Sequence, residues 1–192
     1  MDAAAWDQRY REKDRLWSEG PNLFVADRLS VAAPGVGLDL ASGEGRNAIW
    51  LAGEGWKMTA VDFSDVAVER GRQASEDVDF VVADVLDWEP ERTFDLVLIA
   101  YLHLEEESLR GVVERAAGWL EPSGELFMIG HDRSNIELGH GGPQSPEILW
   151  DVPTITRWME GLRVVESVVV RRPVAAEDGV GYARDALVRA RR

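Results

Sequence analysis

Short apolar runs alternate with segments of helical periodicity along most of the chain, and this alternation predicts an α/β fold. Nearly continuous apolar strands separated by helices are typical of a parallel sheet that helices cover on both faces. We therefore expect a mostly parallel sheet of this kind. The runs that predict its first five strands are Val36–Leu40, Trp56–Val61, Val78–Val82, Phe94–Ala100 and Leu126–Gly130.

Helical periodicity and capping residues lie between these runs. Gly45–Glu54 has the spacing of a short helix, and Ser64 is placed to cap a second helix. Apolar residues recur every three or four positions over Leu109–Leu120, and Pro122–Gly124 is expected to end that third helix. These helices supply the crossovers that parallel strands require.

The C-terminal segment departs from this alternation of strands and helices. Leu162–Arg171 and Tyr182–Arg191 have the pattern of two strands, and only a loop with Pro173 and Gly179 separates them. That connection is too short for a helical crossover, so the two strands should be antiparallel. The sequence therefore predicts a seven-stranded sheet that closes with a C-terminal antiparallel hairpin.

Two segments fall outside the predicted sheet. Met1–Ser30 is expected to form two helices, as an N-terminal cap on a core of residues 31–192. His131–Pro146 has no clear periodicity, and loops of this length in compact domains are often functional. A chain of 192 residues without repeats or an obvious linker is expected to be one domain.

Charge and cysteine content narrow the class of partner. The chain carries 21 Lys and Arg against 35 Asp and Glu, which gives a formal net charge of −14 at pH 7. Such a surface repels nucleic acid and anionic membranes, so neither is expected as a partner and a small molecule is. The lack of cysteine and of a long apolar stretch favours a cytoplasmic location.

A glycine-rich turn follows the first strand, in the segment LDLASGEGRNAIWLA. Gly43, Gly45 and Ala48 fit the pattern G-x-G-x-x-A, which on its own is a weak match to a dinucleotide-binding turn. Asp39 and Glu44 place two carboxylates beside the turn, where they would repel a pyrophosphate and attract an ammonium group. The turn is therefore expected to bind a ligand that carries a positive charge.

Acidic residues end three successive strands. Asp39 belongs to the first, Asp62 to the second and Asp84 to the third. Open α/β sheets bind their ligands outside the carboxyl ends of the strands, and an acid after the second strand suits ribose hydroxyls. An acid after the third strand is placed to accept a hydrogen bond from an exocyclic amine.

At these residues the sequence resembles the class I S-adenosylmethionine-dependent methyltransferases. LDLASGEGRN is similar to their first motif, VDFS to their second and the Asp84 segment to their third, while FDLVLIAYLHL and EPSGELFMIG resemble their fourth and fifth strands. The resemblance runs from about Trp6 to the C-terminal hairpin. Trp6 and Tyr10 match a helical pattern of the tellurite-resistance and thiopurine methyltransferase-like subgroup, whereas Ala41 and Ser42 replace a commoner Gly-Cys pair.

The resemblance implies a single-domain Rossmann-like methyltransferase fold with S-adenosylmethionine as cofactor. Asp39 and the turn after it would hold the methionine moiety, Asp62 the ribose hydroxyls and Asp84 the adenine amine. Phe63 and Val85 would flank the adenine ring, and aromatic residues of the N-terminal segment would form a lid. The cofactor-binding residues implied in this way are Asp39, Ala41, Gly43, Gly45, Asp62, Phe63, Asp84, Val85, Tyr10 and Trp17.

Polar side chains after the fourth and fifth strands are the candidates for the acceptor side of the reaction. His103 and His131 are candidate general bases, because imidazole titrates near neutrality. Tyr101, Arg133 and His140 are candidates for binding the acceptor, the last two as a clamp for a carboxylate. The three histidines of the chain show no metal-ligand spacing, so no metal is expected.

Three functional hypotheses follow from these residues. The leading one is methyl transfer from S-adenosylmethionine to a small-molecule acceptor. A non-catalytic S-adenosylmethionine-binding protein would use the same cofactor residues. An NAD(P)-dependent oxidoreductase is the third, although the chain lacks a Tyr-x-x-x-Lys pair and its only lysines are Lys13 and Lys57. The sequence leaves open the acceptor, the choice among N-, O-, S- and chalcogen methylation, and the oligomeric state.

Overall fold

The computed structural model describes residues 2–13, 18–176 and 179–192, and over these ranges no helix has the length and apolar character to cross a bilayer. The chain divides into two compact units, Met1–Leu98 and Ile99–Arg192. The helices are α1 (Ala3–Arg11), α2 (Leu23–Leu29), α3 (Arg46–Gly53), α4 (Asp65–Ala74), α5 (Glu106–Gly118), α6 (Asn135–Leu138) and α7 (Val152–Arg157), with a 3₁₀ turn at Pro146–Ile148. The strands are β1 (Val36–Leu40), β2 (Lys57–Asp62), β3 (Val78–Val82), β4 (Phe94–Ala100), β5 (Leu120–His131), β6 (Arg163–Ala176) and β7 (Gly179–Arg191).

The seven strands form one sheet in the order β3-β2-β1-β4-β5-β7-β6. β1 pairs in parallel with β2, and β2 pairs in parallel with β3. β7 is antiparallel to both of its neighbours, β5 and β6. The predicted fold class, a mostly parallel α/β sheet that closes with an antiparallel hairpin, is therefore confirmed.

Apolar residues on the parallel strands form the core of the first unit. Leu38 and Leu40 of β1 have no exposed surface, and neither do Ala60 and Val61 of β2. Leu40 lies opposite Val61 in the parallel register. Both faces of such strands are buried, so neighbouring positions rather than alternate ones are apolar. The one acid in β1, Asp39, is buried for the same reason.

Among the described residues before β1, the chain forms the helices α1 and α2. α1 begins after Asp2, whose carboxylate accepts a hydrogen bond of 3.0 Å from the amide of Ala5. α2 begins after Asn22, whose side-chain oxygen accepts from the amides of Phe24 and Val25. Short polar side chains before each helix satisfy amides that have no partner inside it, which fixes where the helices start.

The C-terminal hairpin is longer than predicted. Pro173 and Gly179, which the sequence places in a loop, lie within β6 and β7. Pro173 is paired opposite Tyr182 in the ladder. β6 is the edge strand of the sheet, and an edge strand tolerates the missing N–H of proline.

β5 also begins earlier than predicted. α5 ends at Gly118, and Pro122–Gly124, which was expected to be the turn that ends the helix, belongs to β5. Ser123 has a φ of 72°, so the turn chemistry is present but within the first part of the strand. Pairing with β7 runs from Glu125 to His131 and includes the whole of the predicted strand.

The long segment after β5 is partly helical. The predicted loop His131–Pro146 contains α6, and the chain forms α7 after it. The apolar pattern did not predict α7 because this helix has only six residues. Its start is nevertheless well marked, since the carboxylate of Asp151 accepts a 2.9 Å hydrogen bond from the amide of Thr154.

Candidate active site

The glycine turn after β1 has a left-handed backbone at three positions. Ala41, Gly43 and Gly45 have φ values of 55°, 57° and 78°. The amide of Gly43 donates a 2.8 Å hydrogen bond to the carboxylate of Asp62 at the end of β2. The turn is therefore bent back onto the neighbouring strand, and its backbone is fixed there.

Gly45 is required by close packing as well as by its backbone angle. A β-carbon at this position would lie 2.5 Å from the ring of Phe80 in β3. Gly45 is also the N-cap of α3, and because it has no side chain it makes no capping hydrogen bond of its own. The first turn of α3 consequently presents backbone amides at the end of β1, which is where a carboxylate or phosphate ligand is favoured.

Asp39 is a buried carboxyl group beside this turn. It has no exposed surface, and neither of its oxygens accepts a well-aligned hydrogen bond from a described residue. Burial raises the pKa of this carboxyl from 3.8 to about 7, against the opposing effect of the charge on Arg46. A buried carboxylate without hydrogen bonds is suited to a cationic group that the protein does not itself supply.

Glu44, the second acid of the turn, is already paired. Its Oε1 lies 3.0 Å from Nη1 of Arg70, which comes from α4. Of the two acids that the sequence places beside the turn, Asp39 is therefore the one left to repel a pyrophosphate.

Asp62 is nearly buried, with 5% of its surface exposed. It accepts hydrogen bonds from the amides of Gly43, at 2.8 Å, and Ser64, at 2.9 Å. Burial raises the pKa of this carboxyl, and the two amide hydrogen bonds work in the opposite direction. A carboxylate has about four acceptor positions. The two amides therefore leave acceptor capacity for hydroxyl groups.

The ends of β2 and β3 are tied together. The amide of Ala83 donates to the carbonyl of Asp62 at 3.0 Å, and Asp84 follows directly. Asp84 is exposed, and its Oδ1 accepts a 2.9 Å hydrogen bond from the amide of Leu86. Val85 is buried, whereas Phe63 after β2 is half-buried. The structure thus brings the residues expected around ribose and adenine to two adjacent strand ends.

The N-terminal helix α1 contacts this region through a residue that the sequence did not single out. Asp7 accepts a 2.5 Å hydrogen bond from the hydroxyl of Ser64, the N-cap of α4, and a 3.4 Å one from the amide of Val66. Tyr10 is buried, and its ring centroid lies 6.0 Å from that of Trp6. Trp17, the other predicted lid residue, lies outside the described residues.

The second unit contains a polar cluster, a name used here for Tyr101, His103, His131, Arg172 and Asp185. Tyr101 and His103 follow β4, and His131 ends β5. Arg172 lies on β6 and Asp185 on β7, where Asp185 is directly opposite His131. The antiparallel pairing of three strands therefore assembles residues that are far apart in sequence.

Asp185 is the centre of the polar cluster. It has no exposed surface, and its Oδ2 accepts hydrogen bonds of 2.8 Å from the hydroxyl of Tyr101 and 2.8 Å from Nε of Arg172. Its Oδ1 lies 3.2 Å from Nδ1 of His131. Burial alone would raise the pKa of Asp185, but His131, Arg172 and Tyr101 outweigh it and hold the pKa below its usual value.

His103 is stacked on His131, with ring centroids 5.5 Å apart and an angle of 17° between the planes. Its Nδ1 lies 3.0 Å from the carbonyl oxygen of Ile148. Burial lowers the pKa of His103 from 6.5 to about 4. His103 is therefore neutral at physiological pH. Burial and the charge of Asp185 also raise the pKa of Tyr101, so this phenol keeps its proton.

Comparison with known proteins identifies the family. Residues 38–124 match the family described as Methyltransferase domain. The chain is also 36% identical over 139 residues to the demethylmenaquinone methyltransferase of Clavibacter sepedonicus. Residues 38–124 are therefore a methyltransferase domain, in agreement with the resemblance to class I S-adenosylmethionine-dependent methyltransferases. The match to the Clavibacter protein covers 67% of this chain and 53% of the relative, so this methyltransferase spans about half the length of the curated relative that it matches.

Solved structures agree on the fold of this methyltransferase. N-methyltransferase NodS from Bradyrhizobium japonicum WM9, in complex with S-adenosyl-l-homocysteine, has a TM-score of 0.76 at 21% identity and is matched over 99% of this chain and 98% of its own. TehB from Haemophilus influenzae has a TM-score of 0.77 at 14% identity, over 97% of this chain and 66% of its own. The 1,6-didemethyltoxoflavin-N1-methyltransferase of Burkholderia thailandensis has a TM-score of 0.72 at 20% identity, over 99% and 86%. These similarities show a common fold.

Family membership makes S-adenosylmethionine the cofactor of this methyltransferase domain, rather than a dinucleotide. The cofactor fits what the site lacks: over the described ranges the buried carboxylate of Asp39 accepts no well-aligned hydrogen bond, and the cofactor carries an ammonium group that can donate one. The roles of the individual residues in binding it stay predictions.

The polar cluster includes three of the five residues predicted for the acceptor side. Tyr101, His103 and His131 belong to it, but no hydrogen bond, ion pair or ring contact within the described ranges joins Arg133 or His140 to it. Both of these residues are exposed. In the part of the chain that the structure describes, no group of three or more His, Asp or Glu side chains is arranged to hold a metal ion.

Two members of the polar cluster, Arg172 and Asp185, were missed by the sequence analysis. Both lie in segments that were interpreted only as strands of the hairpin. Asp185 was detectable, because a lone acid directly before the apolar run Ala186–Val188 is unusual in a buried strand. Its pairing with His131 was not detectable, since the register of β5 and β7 is set by tertiary structure.

Proposed function

We propose that this methyltransferase transfers the methyl group of S-adenosylmethionine to a small-molecule acceptor in the cytoplasm. The observation that carries the proposal is the carboxylate of Asp39, which is fully buried beside the glycine turn and accepts no well-aligned hydrogen bond from the described residues. Burying such a group is unfavourable unless a cation meets it in the working state. The ammonium group of the cofactor's methionine moiety is that cation in this proposal.

The other cofactor residues have complementary tasks. The backbone of Ala41, Gly43 and Gly45, which is left-handed at all three positions, approaches the methionine carboxylate. Asp62 accepts hydrogen bonds from the ribose hydroxyls with the acceptor positions that Gly43 and Ser64 do not use.

The adenine moiety would lie at the ends of β2 and β3. Asp84 accepts a hydrogen bond from the adenine amine, and Phe63 and Val85 flank the ring. Support for this placement comes from the hydrogen bond between Ala83 and Asp62, which holds the two strand ends next to each other.

In methyl transfer the main task of the protein is to position the two reactants. When bound, the cofactor supplies an activated methyl group on a positively charged sulfur. The residues of this chain must hold the acceptor in line with that methyl group and keep water away from it, which lowers the entropic cost of reaching the transition state.

A small-molecule acceptor is supported by charge and by relatives. A net charge of −14 disfavours a nucleic acid as the acceptor. The relatives and structural neighbours include enzymes named for demethylmenaquinone and for 1,6-didemethyltoxoflavin, both of which are small molecules. The absence of cysteine supports a reducing, cytoplasmic location.

The test is calorimetric titration of the full chain with S-adenosylhomocysteine, and with NADPH as the competing cofactor. Micromolar binding of S-adenosylhomocysteine is expected, with none for NADPH. Asp62→Asn should weaken binding at least tenfold because it removes a charged acceptor from the ribose hydroxyls. Asp79→Asn, an exposed acid on β3, is the matched control and should bind like the wild type.

Melting curves of both variants must show that they are folded, since Asp62 also holds the amide of Gly43. Binding of NADPH, or no binding of S-adenosylhomocysteine by the wild type, would contradict the proposal. Equal binding by Asp62→Asn and the wild type would remove Asp62 from the cofactor site.

A further inference from the structure

The pair formed by His131 and Asp185 points to the chemical class of the acceptor. We infer that His131, held in place by the buried carboxylate of Asp185, accepts the proton of a hydroxyl group as that group becomes methylated. The inference rests on the proposed methyl transfer and adds to it that the acceptor is a phenol or a similarly acidic hydroxyl compound. Asp185 acts through His131 and is a positioning residue.

The contact with Asp185 indicates which nitrogen of His131 is available to the acceptor. Nδ1 lies 3.2 Å from Oδ1 of Asp185, whose side chain has no exposed surface. An ionised carboxylate accepts hydrogen bonds and cannot donate them. Neither Nδ1 nor Oδ1 has a well-aligned hydrogen-bond partner among the described residues, so a hydrogen on Nδ1 is the arrangement that lets the two atoms pair, and it leaves the lone pair of the neutral ring on Nε2. A carboxylate that orients an imidazole in this way is the arrangement that makes histidine an effective base.

Asp185 is itself held by two further donors. The hydroxyl of Tyr101 and Nε of Arg172 both lie 2.8 Å from its Oδ2, and Arg172 also donates to the Tyr101 oxygen at 2.9 Å. These bonds occupy Oδ2 and leave Oδ1 facing His131. The charge of Arg172 keeps Asp185 ionised in a buried position, so the negative charge needed beside an imidazolium is present before the reaction.

His103 does not take the role of base. Its Nδ1 contacts the carbonyl oxygen of Ile148, and no carboxylate lies within ion-pair distance of its ring among the described residues. Its buried ring stays neutral and is stacked on His131. A neutral neighbour allows His131 to become positively charged without repulsion.

A glycine of the segment after α6 lies close to Nε2 of His131. A β-carbon at Gly142 would lie 2.8 Å from Nε2 of His131, and Gly142 has a left-handed backbone with a φ of 74°. The His131 side chain is 12% exposed, although its Nδ1 is buried. The segment after α6 thus passes close to Nε2 without covering it with a side chain.

A base of this kind distinguishes hydroxyl acceptors from other nucleophiles. A neutral amine attacks with its own lone pair, and a thiol with a pKa near 8.5 supplies thiolate without much help. A phenolic hydroxyl has a pKa near 10 and is a poor nucleophile until its proton is removed. A positioned imidazole therefore contributes most when the acceptor is a hydroxyl, by about 100-fold to 10,000-fold in rate.

The proposed step balances without any further reactant. The hydroxyl oxygen forms a bond to the methyl carbon, and the carbon–sulfur bond breaks with its electron pair left on sulfur as a neutral thioether. The hydroxyl proton moves to Nε2 of His131, whose imidazolium is stabilised by Asp185. Water takes that proton after the product leaves.

The first test reads the protonation state of His131 without any turnover. In ¹⁵N-labelled full-length protein, long-range proton–nitrogen spectra separate the two tautomers of each of the three histidines, and the variants His103→Gln and His140→Gln assign them. Neutral His131 is expected with its hydrogen on Nδ1. In Asp185→Asn the new amide can donate to Nδ1, so His131 should change to the Nε2–H tautomer.

Matched variants distinguish the loss of the contact between Asp185 and His131 from a general loss of structure. Glu125→Gln removes another buried carboxylate that pairs with arginines of β7, and it should leave the tautomer of His131 unchanged. Tyr101→Phe removes one hydrogen bond to Oδ2 but keeps Oδ1, so it should also keep the tautomer. An Nε2–H tautomer of His131 in the wild type, or no change in a folded Asp185→Asn, would overturn the inference.

The second test addresses the acceptor class. Wild-type protein with S-adenosylmethionine is offered a panel of phenols and of anilines with the same ring substituents. Methylated phenols are expected, with a loss of about 100-fold or more in His131→Gln. Product from the anilines alone, or no methylated phenol, would overturn the hydroxyl assignment.

Binding of S-adenosylhomocysteine keeps this test distinct from that of the proposed function. His131→Gln and Asp185→Asn should bind S-adenosylhomocysteine with wild-type affinity. If the wild type fails to bind it, the methyltransferase proposal fails, whatever the tautomer of His131. If binding is normal while the tautomer or the phenol result is wrong, only the present inference fails.

Discussion

At the residue scale, Asp39 makes the stability of the chain depend on pH. In the folded chain its pKa is about 7, whereas in the unfolded chain it is near 3.8. Between these values the folded state binds more protons than the unfolded state. The stabilising contribution of the protonated group is therefore complete below pH 4 and is lost as the pH rises through about 7.

Replacing Asp39 with asparagine should remove this pH dependence. Relative to the wild type, the free energy of unfolding of Asp39→Asn should rise by roughly 4 kcal/mol between pH 4 and pH 8, since the shift spans about three pKa units and about 1.4 kcal/mol corresponds to each. Urea denaturation at a series of pH values measures it. Parallel curves for the two proteins would show that the carboxyl titrates normally in the folded chain.

Ala41 is strained where a glycine would not be. Its φ of 55° costs an L-residue about 1–2 kcal/mol, and glycine loses about 0.5–1 kcal/mol more conformational entropy on folding than alanine. Ala41→Gly should therefore stabilise the chain by about 0.5–1 kcal/mol in urea denaturation. Ala52→Gly in α3 is the control and should destabilise by a similar amount, because its backbone is helical. Destabilisation by both changes would mean that Ala41 is not strained.

At the element scale, α4 packs on β3 through a glycine. A β-carbon at Gly71 would lie 2.3 Å from the ring of Phe80, whereas one at Gly111 in α5 would meet nothing within 4 Å. Gly71→Ala should lower the free energy of unfolding by about 1–3 kcal/mol through overpacking. Gly111→Ala should raise it by about 0.5–1 kcal/mol, because both glycines are in helices and only the first is crowded. Equal effects in chemical denaturation would refute the packing argument.

The elements differ in how far the sequence predicts them. β1, β3 and β4 were predicted to the residue because polar and turn residues bound each apolar run. Ser64 marked the start of α4 through a local hydrogen bond. The ends of the hairpin were not predicted, since Pro173 and Gly179 normally interrupt strands and only their edge position permits them here.

The residues of the candidate site were likewise predicted only where a local sequence pattern marks them. Asp39, Asp62 and Asp84 were found because each stands next to an apolar strand, a pattern visible in one dimension. Asp7 and Asp185 were not found, because their importance comes from partners 57 and 84 residues away along the chain. Contacts of that kind are set by tertiary packing and leave no periodic signal.

At the scale of the whole molecule, the net charge of −14 opposes the compact state. Like charges repel more strongly in the folded chain, where they are closer together, and salt screens them. Raising NaCl from 10 to 200 mM should therefore increase the melting temperature. Each kcal/mol added to the free energy of unfolding corresponds to about 2–4 °C. Sucrose of matched osmolality is the control for excluded-solute effects. A melting temperature that falls with salt would mean that attractive ion pairs dominate.

The place of β7 in the sheet sets the order in which the second unit can be completed. β7 lies between β5 and β6, yet it follows both of them in the sequence. A ribosome delivers β5 and β6 first, so both present open hydrogen-bonding edges to the cell until β7 emerges and inserts between them. The buried partner of His131 arrives with that last insertion. The nascent chain should consequently depend on chaperones at this stage, and acceptor chemistry should appear only after β7 has been synthesised.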